Sequence, residues 1–474
     1  MRKLSVICIL VGLCTQVFAQ VLPDKSIWQG QLGPLRLILR VFPDSISGDT
    51  KAVFDSPDQN ASNLSINEFK VTTDSLSAYS KVIGGGFAGR FNSDKTQITG
   101  SWKQGSVNAP LTLIRITSVA AAVDRPQTPK PPFPYKSENV EYINSDGSVH
   151  FGGTLTLPDS DQPVPVVLLI SGSGQQDRDE TIFNHKPFAV IADHLARNGI
   201  AVLRVDDRGV GQTTGEVKNA TSADFAKDVL AGIAFLKTRS EIDPSKIGLI
   251  GHSEGGIIAP MAANQSKDID FIVSMAGMGV KGIDLIKKQN ADMLKTSDLP
   301  PDQYKALIGL YFRLFDLVKA QEINKPLNLK GEFEKWKGIQ SMDLIDSMKM
   351  NAGQPGEQMI NNFMLAVDVP WMRYFIKYDP APVLSRIKIP VLAINGSKDI
   401  QVSATENLAG FETYLKKAGN KNYKIVEFPG LNHLFQPAKT GYLDEYAKIE
   451  ETISPAVLEL MVKWIKEQTT DHSD

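Results

Sequence analysis

The sequence predicts an α/β protein whose mostly parallel sheet carries a helical insertion and is preceded by a small all-β domain. Three observations support this prediction. Short apolar runs alternate with amphipathic helical patterns from residue 136 onward, as in parallel sheets with helical crossovers. The pentapeptide GHSEG at residues 251–255 stands between one such run and a helical pattern. Before residue 119, β-type runs are separated by turn residues instead.

Residues 21–118 are predicted to form the all-β module. Its β-type runs are residues 35–42, 51–55, 87–91, 97–102 and 111–116. Many short strands at regular spacing indicate a small barrel or sandwich. Trp28 and Trp102 are expected in its core, and a ligand platform is the alternative. We find no catalytic constellation in this module.

A proline-rich segment at residues 124–135 follows and predicts a semi-rigid linker, because its prolines favour extended polyproline geometry. Residues 136–474 then form the predicted catalytic domain. Its strand-type runs are residues 164–170, 200–205, 247–250, 271–275, 391–394 and 423–428, and its helical patterns include residues 188–197, 223–237 and 404–417. Residues 279–378 break the alternation, because they are helix-rich with many Met and aromatic residues. We predict that this interval is a helical cap inserted between two strands.

The pentapeptide at residues 251–255 has the G-x-S-x-G pattern of a nucleophile elbow, a sharp strand-to-helix turn that exposes a serine hydroxyl. The apolar run at residues 246–250 precedes it, and the small-residue run at residues 256–263 follows it. Its glycines let the turn close without side-chain clashes. We therefore predict that Ser253 is a nucleophile. An ordinary loop serine is the alternative, since the pattern also occurs by chance.

A serine nucleophile needs a base, and the chain offers six histidines. His433 follows the strand-type run at residues 423–428 through a short loop, at the carboxyl end of the predicted sheet, where such sheets build their sites. His252 adjoins the nucleophile and is expected to give structural support. His185 lies in a loop near the strand ends, where substrate contact or solvation is expected and a role as the base is the alternative. The sequence therefore predicts His433 as the base.

The base must be oriented by an acid that also stabilises its charged form. Asp399 follows the strand-type run at residues 391–394 after a glycine-containing turn. The chain order Ser253, Asp399, His433 is the order that a nucleophile-elbow architecture uses. A solvated surface aspartate is the alternative.

The tetrahedral intermediate needs two backbone donors. We predict that these are the amides of Glu254 and of Ser173, with Gln175 as the fallback, since SGSGQ at residues 171–175 follows a predicted strand. Trp371, Tyr374 and Phe375 of the cap, together with Gln175, are candidates for substrate contact, and cap packing is the alternative.

Charged residues cluster at 177–179 and 206–208, and an ion-pair network bracing the site is expected there, with direct substrate binding as the alternative. We expect no cofactor. No metal site is expected either, because no histidine pair has ligand spacing.

The overall balance of charge excludes some partners. The formal net charge is −2, from 51 basic and 53 acidic residues without a basic block. Nucleic acid and anionic membrane surfaces are therefore not expected as partners. No stretch is long enough to span a bilayer. The oligomeric state cannot be derived from these features.

Residues 1–19 have the features of a signal peptide: a basic start, a short apolar run and small residues before Ala19. Both cysteines, Cys8 and Cys14, lie inside this leader. The mature chain is therefore predicted to lack disulfides and thiolate sites. Export without disulfides favours a bacterial periplasmic or secreted protein, and a lipid anchor at Cys14 is the alternative.

These motifs together resemble the α/β-hydrolase superfamily, and within it exported bacterial carboxylesterases with an N-terminal β module and a cap. The resemblance covers about residues 136–474 and rests on the segments 171–179, 204–211, 251–255, 396–399 and 432–433. It extends to serine aminopeptidase-like hydrolases. One departure is Ser-Gly at residues 171–172, where many relatives have His-Gly, and this leaves the second oxyanion donor open.

The resulting expectation is a serine hydrolase that cleaves carboxylic esters of small molecules or of acylated carbohydrates. A serine peptidase is the first alternative and would need an acidic group, such as Glu357 or Asp368 of the cap, to bind a substrate amine. The second alternative is a binding protein that has lost its activity. A third idea is that the β module binds a polysaccharide and brings the esterase to acylated sugars.

Overall fold

The structure is a computed structural model and describes residues 25–32, 35–44, 49–57, 61–105, 107–118, 125–323 and 325–470. The predicted signal peptide at residues 1–19 and both cysteines lie outside these ranges. The chain forms two compact units that divide near residue 120. None of the helices in the described ranges is both long and apolar enough to cross a membrane.

The N-terminal unit is one antiparallel sheet of nine strands. The strands are β1 (Ser26–Leu32), β2 (Leu35–Pro43), β3 (Thr50–Ser56), β4 (Ala61–Ser65), β5 (Glu68–Val71), β6 (Ser75–Ser80), β7 (Gly85–Phe91), β8 (Gln97–Gln104) and β9 (Val107–Ile116). Their order is β4-β3-β2-β1-β9-β8-β7-β6-β5, so β1 lies beside β9 and the strands follow the chain around a barrel-like sheet with β4 and β5 at its ends.

One face of this sheet is its core. Alternate residues of β6 are buried, as expected for a strand with one solvated face. Trp28 and Trp102 are buried together with Phe54 and Phe87, and the ring of Phe54 packs edge-on against Trp102 at 5.2 Å. The prediction of an all-β domain is confirmed in its barrel-like form, and the two tryptophans have the expected core position.

The C-terminal unit is built on a sheet of eight strands. These are β10 (Tyr135–Ile143), β11 (His150–Pro158), β12 (Val164–Ile170), β13 (Ala201–Val205), β14 (Ile242–His252), β15 (Phe271–Met275), β16 (Val391–Gly396) and β17 (Tyr423–Phe428). Their order is β10-β11-β13-β12-β14-β15-β16-β17. The strands from β12 to β17 pair in parallel, whereas β10 and β11 are antiparallel to each other and β11 is antiparallel to β13.

Helices cover both faces of this sheet and fill the interval between β15 and β16. The helices are α1 (Pro187–Ala196), α2 (Ser222–Leu236), α3 (Gly255–Ala263), α4 (Gly282–Leu294), α5 (Pro301–Ala320), α6 (Leu329–Gly338), α7 (Met342–Ser347), α8 (Pro355–Val367), α9 (Pro370–Lys377), α10 (Ala381–Leu384), α11 (Ala404–Ala418), α12 (Leu443–Tyr446) and α13 (Pro455–Thr469). Helices α4 to α9 fall within the predicted cap interval, and we call them the helical insertion.

Three apolar clusters hold the C-terminal unit together. One lies between the sheet and helices α2, α3 and α11, and a second lies between the opposite face and helices α1 and α13. Residues of β12 alternate between the two clusters, since Leu168 belongs to the first and Leu169 to the second. The helical insertion has a cluster of its own around Leu310 and Phe333. The α/β fold with a sheet covered on both faces is therefore confirmed.

The predicted linker at residues 124–135 begins outside the described ranges, and its later part is tied to the C-terminal unit. Arg125 is buried and donates hydrogen bonds to the carbonyl oxygens of Phe183 and Ala447 at 2.8 and 2.9 Å. Gln127 donates to the carbonyl of Ile453 at 2.8 Å. Strand β10, at the edge of the eight-stranded sheet, then begins at Tyr135. The later part of the segment therefore belongs to the C-terminal unit.

Candidate active site

Ser253 lies on a strained turn between β14 and α3. Its φ angle is 54°, a left-handed conformation that a residue with a side chain adopts only at some cost. The turn is tight enough that a Cβ at Gly255 would collide with the carbonyl oxygen of Ile170, and one at Gly251 with that of Gly255. The Ser253 amide donates to the carbonyl of Met275 at 2.8 Å. These features are those of the predicted nucleophile elbow.

His433 and Asp399 are paired at the carboxyl ends of neighbouring strands. Strands β16 and β17 run in parallel with Gly396 opposite Phe428, so the loops that follow them meet. The imidazole Nδ1 of His433 lies 2.7 Å from Oδ2 of Asp399, and both residues are buried. With Nδ1–H donating to the carboxylate, the lone pair of Nε2 is available as a base.

Both loops are held by their own short-range hydrogen bonds. The other carboxylate oxygen of Asp399 accepts from the amides of Gln401 and Val402, each at 2.8 Å. The side-chain oxygen of Asn432 accepts from the amides of Leu434 and Gln436 at 3.0 and 2.9 Å, which closes the turn that carries His433. The orientation of the pair is therefore fixed by the backbone before any substrate binds.

A hydrogen bond links the elbow to the loop of His433. Nε2 of His252 lies 3.0 Å from the carbonyl oxygen of His433, and the two imidazole rings are 4.8 Å apart between centroids. Because His252 directly precedes Ser253, this bond brings the candidate nucleophile and the candidate base to one rim of the sheet. The structural role expected for His252 agrees with this placement.

Glu180 is a site residue that sequence reasoning missed. Its Oε1 accepts from the amide of Gly172 at 2.7 Å and lies 2.9 Å from Nδ1 of His252. Burial opposes protonation of His252, but the charge and hydrogen bond of Glu180, the carbonyl of His433 and the charge of Asp399 together raise the pKa of the imidazole. One carboxylate therefore ties the loop after β12 to the elbow. The available signal was an acidic residue close behind the glycine-rich segment.

The two predicted oxyanion donors lie in loops that follow adjacent strands. In the pairing of β12 with β14, Ile170 is opposite Gly251, so the segment 171–175 begins beside the elbow. Throughout the described ranges, the amides of Ser173 and Glu254 donate to no protein acceptor, whereas the amide of Gly172 is engaged by Glu180. The N-terminus of α3 adds a favourable dipole for negative charge at this place.

The side chain of Glu254 is buried beside the nucleophile. Its Oε1 accepts from the Ser222 hydroxyl at 2.6 Å and from the Trp371 indole N–H at 2.8 Å. Burial raises the pKa of Glu254, and the hydrogen bonds from Ser222, Trp371 and Ser173 reduce that rise. Ser222 is placed by the start of α2, where Thr221 and Asp224 form a capping box. Helix α9 of the insertion is thereby bonded to the elbow.

The charged residues near the strand ends form ion pairs, with one exception. Arg178 pairs with Asp206 at 2.6 Å, and Arg208 forms a two-point contact with Asp228. The bracing role expected for this cluster agrees with these contacts. Asp207 has no cationic partner among the described residues; it accepts instead from neutral hydrogen-bond donors. Burial, followed by the nearby carboxylates, raises the pKa of Asp207 to about 7.

A cavity of about 300 Å³ lies below the segment 171–175. Gln175 and Trp371, two of the candidates for substrate contact, line it. Tyr374 and Phe375 are not among the described residues that line it. Phe375 is buried in the main core with its ring 5.6 Å from that of Trp371, and Tyr374 packs against the same core. For these two, the packing alternative describes the structure.

His185 is not exposed to substrate or solvent. It is fully buried, with its ring nitrogens near Thr452, the carbonyl of Tyr446 and Gln436 at 2.9 to 3.1 Å. Burial lowers the pKa of His185 to about 4. The expectation of substrate contact or solvation is therefore wrong, because the loop folds under α12.

Within the described ranges, no three His, Cys, Asp or Glu side chains are grouped so as to hold a metal ion.

Comparison with known proteins finds relatives that are named as esterases and as a thiohydrolase. The chain is 29% identical over 283 residues to esterase EstD of Thermotoga maritima, and the aligned region covers 60% of this chain and 57% of EstD. It is 30% identical over 137 residues to a thiohydrolase of Aspergillus aculeatus, covering 29% of this chain and 40% of that protein. The chain thus spans less than two thirds of the length of these relatives. A solved esterase of Pyrococcus furiosus matches with a TM-score of 0.43 and 17% identity, over 74% of this chain and 100% of the other.

A family profile for the α/β-hydrolase fold matches residues 165–437. This match covers more than half of the 474 residues and extends from β12 to the turn that carries His433. The sheet order, the elbow and the loops after β16 and β17 all lie within it. The chain therefore belongs to the α/β-hydrolase superfamily, and it resembles bacterial esterases.

Proposed function

We propose that the protein is a serine hydrolase that cleaves carboxylic esters through an acyl-enzyme. His433 Nε2 takes the proton of the Ser253 hydroxyl as its oxygen attacks the ester carbonyl carbon. The amides of Ser173 and Glu254 receive the negative oxygen. The alcohol leaves with the proton from His433. Water, deprotonated by the same imidazole, then releases the acid and restores Ser253, while Asp399 stabilises the charged imidazole.

The observation that carries this proposal is the buried pair of His433 and Asp399 beside a strained serine. The 2.7 Å contact selects the tautomer that a base needs. The left-handed φ angle of Ser253, between a buried strand and a helix, is the backbone geometry that a nucleophile elbow requires. The name of the relative from Thermotoga maritima, an esterase, supports the choice of an ester as the scissile group.

The first test replaces the nucleophile. We expect Ser253→Ala to lower kcat for p-nitrophenyl acetate by on the order of 10⁵ to 10⁶, as in other serine triads. Ser240→Ala, at an exposed serine after α2, is the matched control and should retain full turnover. Near-normal turnover by Ser253→Ala, with a folded protein by circular dichroism, would refute the assignment.

The peptidase alternative now has less support. Asp368 is paired with Arg373, and Glu357 accepts from the amide of Gly353 in a surface turn. Both carboxylates thus already have a partner within the helical insertion, and neither is among the described residues that line the cavity. We expect p-nitrophenyl esters to be cleaved with a far higher kcat/KM than aminoacyl p-nitroanilides. A preference for the anilides that depends on Ser253 would favour the peptidase.

The place of action is part of the proposal. The sequence of residues 1–19 supports export to the periplasm or medium. The export signal and the position of the N-terminal β module support a further hypothesis, that this module binds a polysaccharide and brings the esterase to acylated sugars. An N-terminus at Gln20 in protein recovered from the periplasm or medium is the expected result. Intact Met1 in protein that stays in the cytoplasm would contradict it.

A further inference from the structure

We propose that the cavity below the segment 171–175 binds the acyl chain, so that the preferred esters carry an apolar acyl group of medium length. This inference rests on the proposed function and specifies its substrate class. The cavity is bounded by the sheet, α2 and α9. We identify its occupant from the chemistry of its walls, from the position of its rim and from its volume.

Most of the wall surface of the cavity is apolar. It is formed by side chains of the sheet and of α2 with the loop before it: Phe151, Leu168, Val205, Ala220, Phe225 and Val229. Burying apolar surface is favourable in proportion to its area. A hydrocarbon chain is therefore the kind of group that such walls bind.

The charged side chains in the wall already have partners. Arg208 and Asp228 neutralise each other. Asp207 accepts from the Ser171 hydroxyl at 2.7 Å and from the Gln176 amide at 2.9 Å. An anionic substrate group would therefore meet no unpaired cation among the described residues of this wall.

The rim of the cavity adjoins the nucleophile. Gly172 lines the cavity, and a methyl group at this position would lie 3.2 Å from Cβ of Ser253. Trp371 lines it from the other side and is bonded to Glu254, the residue after Ser253. Ser253 itself is not among the described residues that line the cavity, so a group attached to the carbonyl carbon would enter it past Gly172.

The acyl side of the ester, rather than the alcohol side, fits this position. The leaving alcohol must lie near His433, because that imidazole gives it a proton. Among the described residues, the cavity lining includes none that follows β16, and so none from the loop of His433. The two halves of the substrate extend in opposite directions from the carbonyl carbon, which leaves the cavity for the acyl chain.

The volume sets the length of the chain. At about 30 Å³ for each group the size of a water molecule, a cavity of about 300 Å³ holds roughly ten such groups. Each buried methylene should raise kcat/KM by up to about fourfold. In a series of p-nitrophenyl esters, kcat/KM is expected to rise from acetyl to about octanoyl or decanoyl and to fall for palmitoyl.

The test alters the volume from two sides. Ala220→Leu fills the cavity and should lower the ratio of octanoyl to acetyl kcat/KM by on the order of 10- to 60-fold. Phe225→Ala enlarges it and should move the optimum to longer chains. Ala234→Leu makes the same change at an exposed position of α2 that does not line the cavity, and its ratio should equal that of the parent.

A second substrate series separates the two ends of the ester. Acetate esters of alcohols of increasing length should show no difference in their length dependence between Ala220→Leu and Ala234→Leu. If Ala220→Leu changes this series and leaves the acyl series unaltered, the acyl assignment is overturned. An unchanged acyl optimum in both cavity variants also overturns it. If the parent hydrolyses no ester at all, the proposed function itself fails, which is a different outcome.

Discussion

Glu180 shows how one buried carboxylate can order two loops at the scale of single residues. It accepts from the Gly172 amide and pairs with His252, which in turn bonds the carbonyl of His433. Ser173, next to Gly172, is a proposed oxyanion donor. We therefore expect Glu180 to position both the proposed donor and the proposed base without touching the substrate.

We expect Glu180→Ala to lower kcat by on the order of 100-fold with little change in KM, since misplacement of about 1 Å has effects of this size. Glu180→Gln keeps an oxygen for the Gly172 amide and should lose less. The measurement is kcat and KM for p-nitrophenyl acetate, with thermal unfolding to confirm folding. Equal losses in both variants, or a change confined to KM, would contradict the positioning role.

Asp207 gives a pH dependence whose sign is defined. Its pKa of about 7 in the folded protein lies above the value of about 3.9 for an unfolded aspartate. The folded state therefore binds more protons between these values, and the contribution of Asp207 to stability, complete below about pH 4, is lost as the pH rises to about 7. An asparagine keeps the hydrogen bonds of the protonated form without this titration.

We therefore expect the difference in Tm between Asp207→Asn and the parent to grow in favour of the variant from about pH 4 to pH 7. Thermal unfolding at four or five pH values measures it, with Asp161→Asn at an exposed site as the control. A difference that stays constant, or that shrinks as the pH rises, would show that Asp207 ionises normally.

Single residues also show what could be read from the sequence. The positions of Ser253, Asp399 and His433 at strand ends were predictable because each follows a strand through a short turn whose pattern is local. The role of Glu180 could not be predicted, because its partner His252 lies 72 positions away and no local pattern indicates that the two side chains pair. Tyr374 and Phe375 were proposed from composition alone, which does not say which face of α9 borders the cavity.

At the scale of elements, a hydrogen bond from Trp371 to Glu254 joins helix α9 to the elbow. Removing a donor from a buried carboxyl group leaves it less satisfied, at a cost of about 1–3 kcal/mol. Trp371→Phe keeps an aromatic ring beside Phe375 while it removes the N–H group. The contact can therefore be tested with limited loss of packing.

We expect a double-mutant cycle of Trp371→Phe with Glu254→Gln to give a coupling energy of about 0.5–3 kcal/mol in the free energy of unfolding. Denaturant titration of the parent, both single variants and the double variant measures it. Additive losses would mean that the indole N–H contributes nothing to holding α9 against the elbow.

Elements were predictable where their apolar residues are continuous. Strands β12, β15 and β17 have the predicted bounds, because buried parallel strands have few polar residues. Strand β10 was missed because it lies at the edge of the sheet and most of its residues are exposed or half-buried. Strand β4 was missed for a similar reason, since its sequence ASNLS has one large apolar residue.

At the scale of the whole molecule, the sequence predicted both kinds of fold and the change between them. The alternation of strands and helices after residue 136 determined the α/β architecture, and the interval at 279–378 corresponds to the helical insertion. The cavity could not be predicted, because its walls come from the sheet, α2, α3 and α9 at once. Such a space is a property of the assembled unit rather than of any segment.

The central claim is that Ser253 is activated by His433, and labelling with a fluorophosphonate tests it most directly. We expect the reagent to modify Ser253 alone, as located by peptide mass spectrometry, with no adduct in Ser253→Ala and an adduct formed at least about 10³-fold more slowly in His433→Ala. An adduct on another residue, or equal labelling rates in His433→Ala and the parent, would contradict the account.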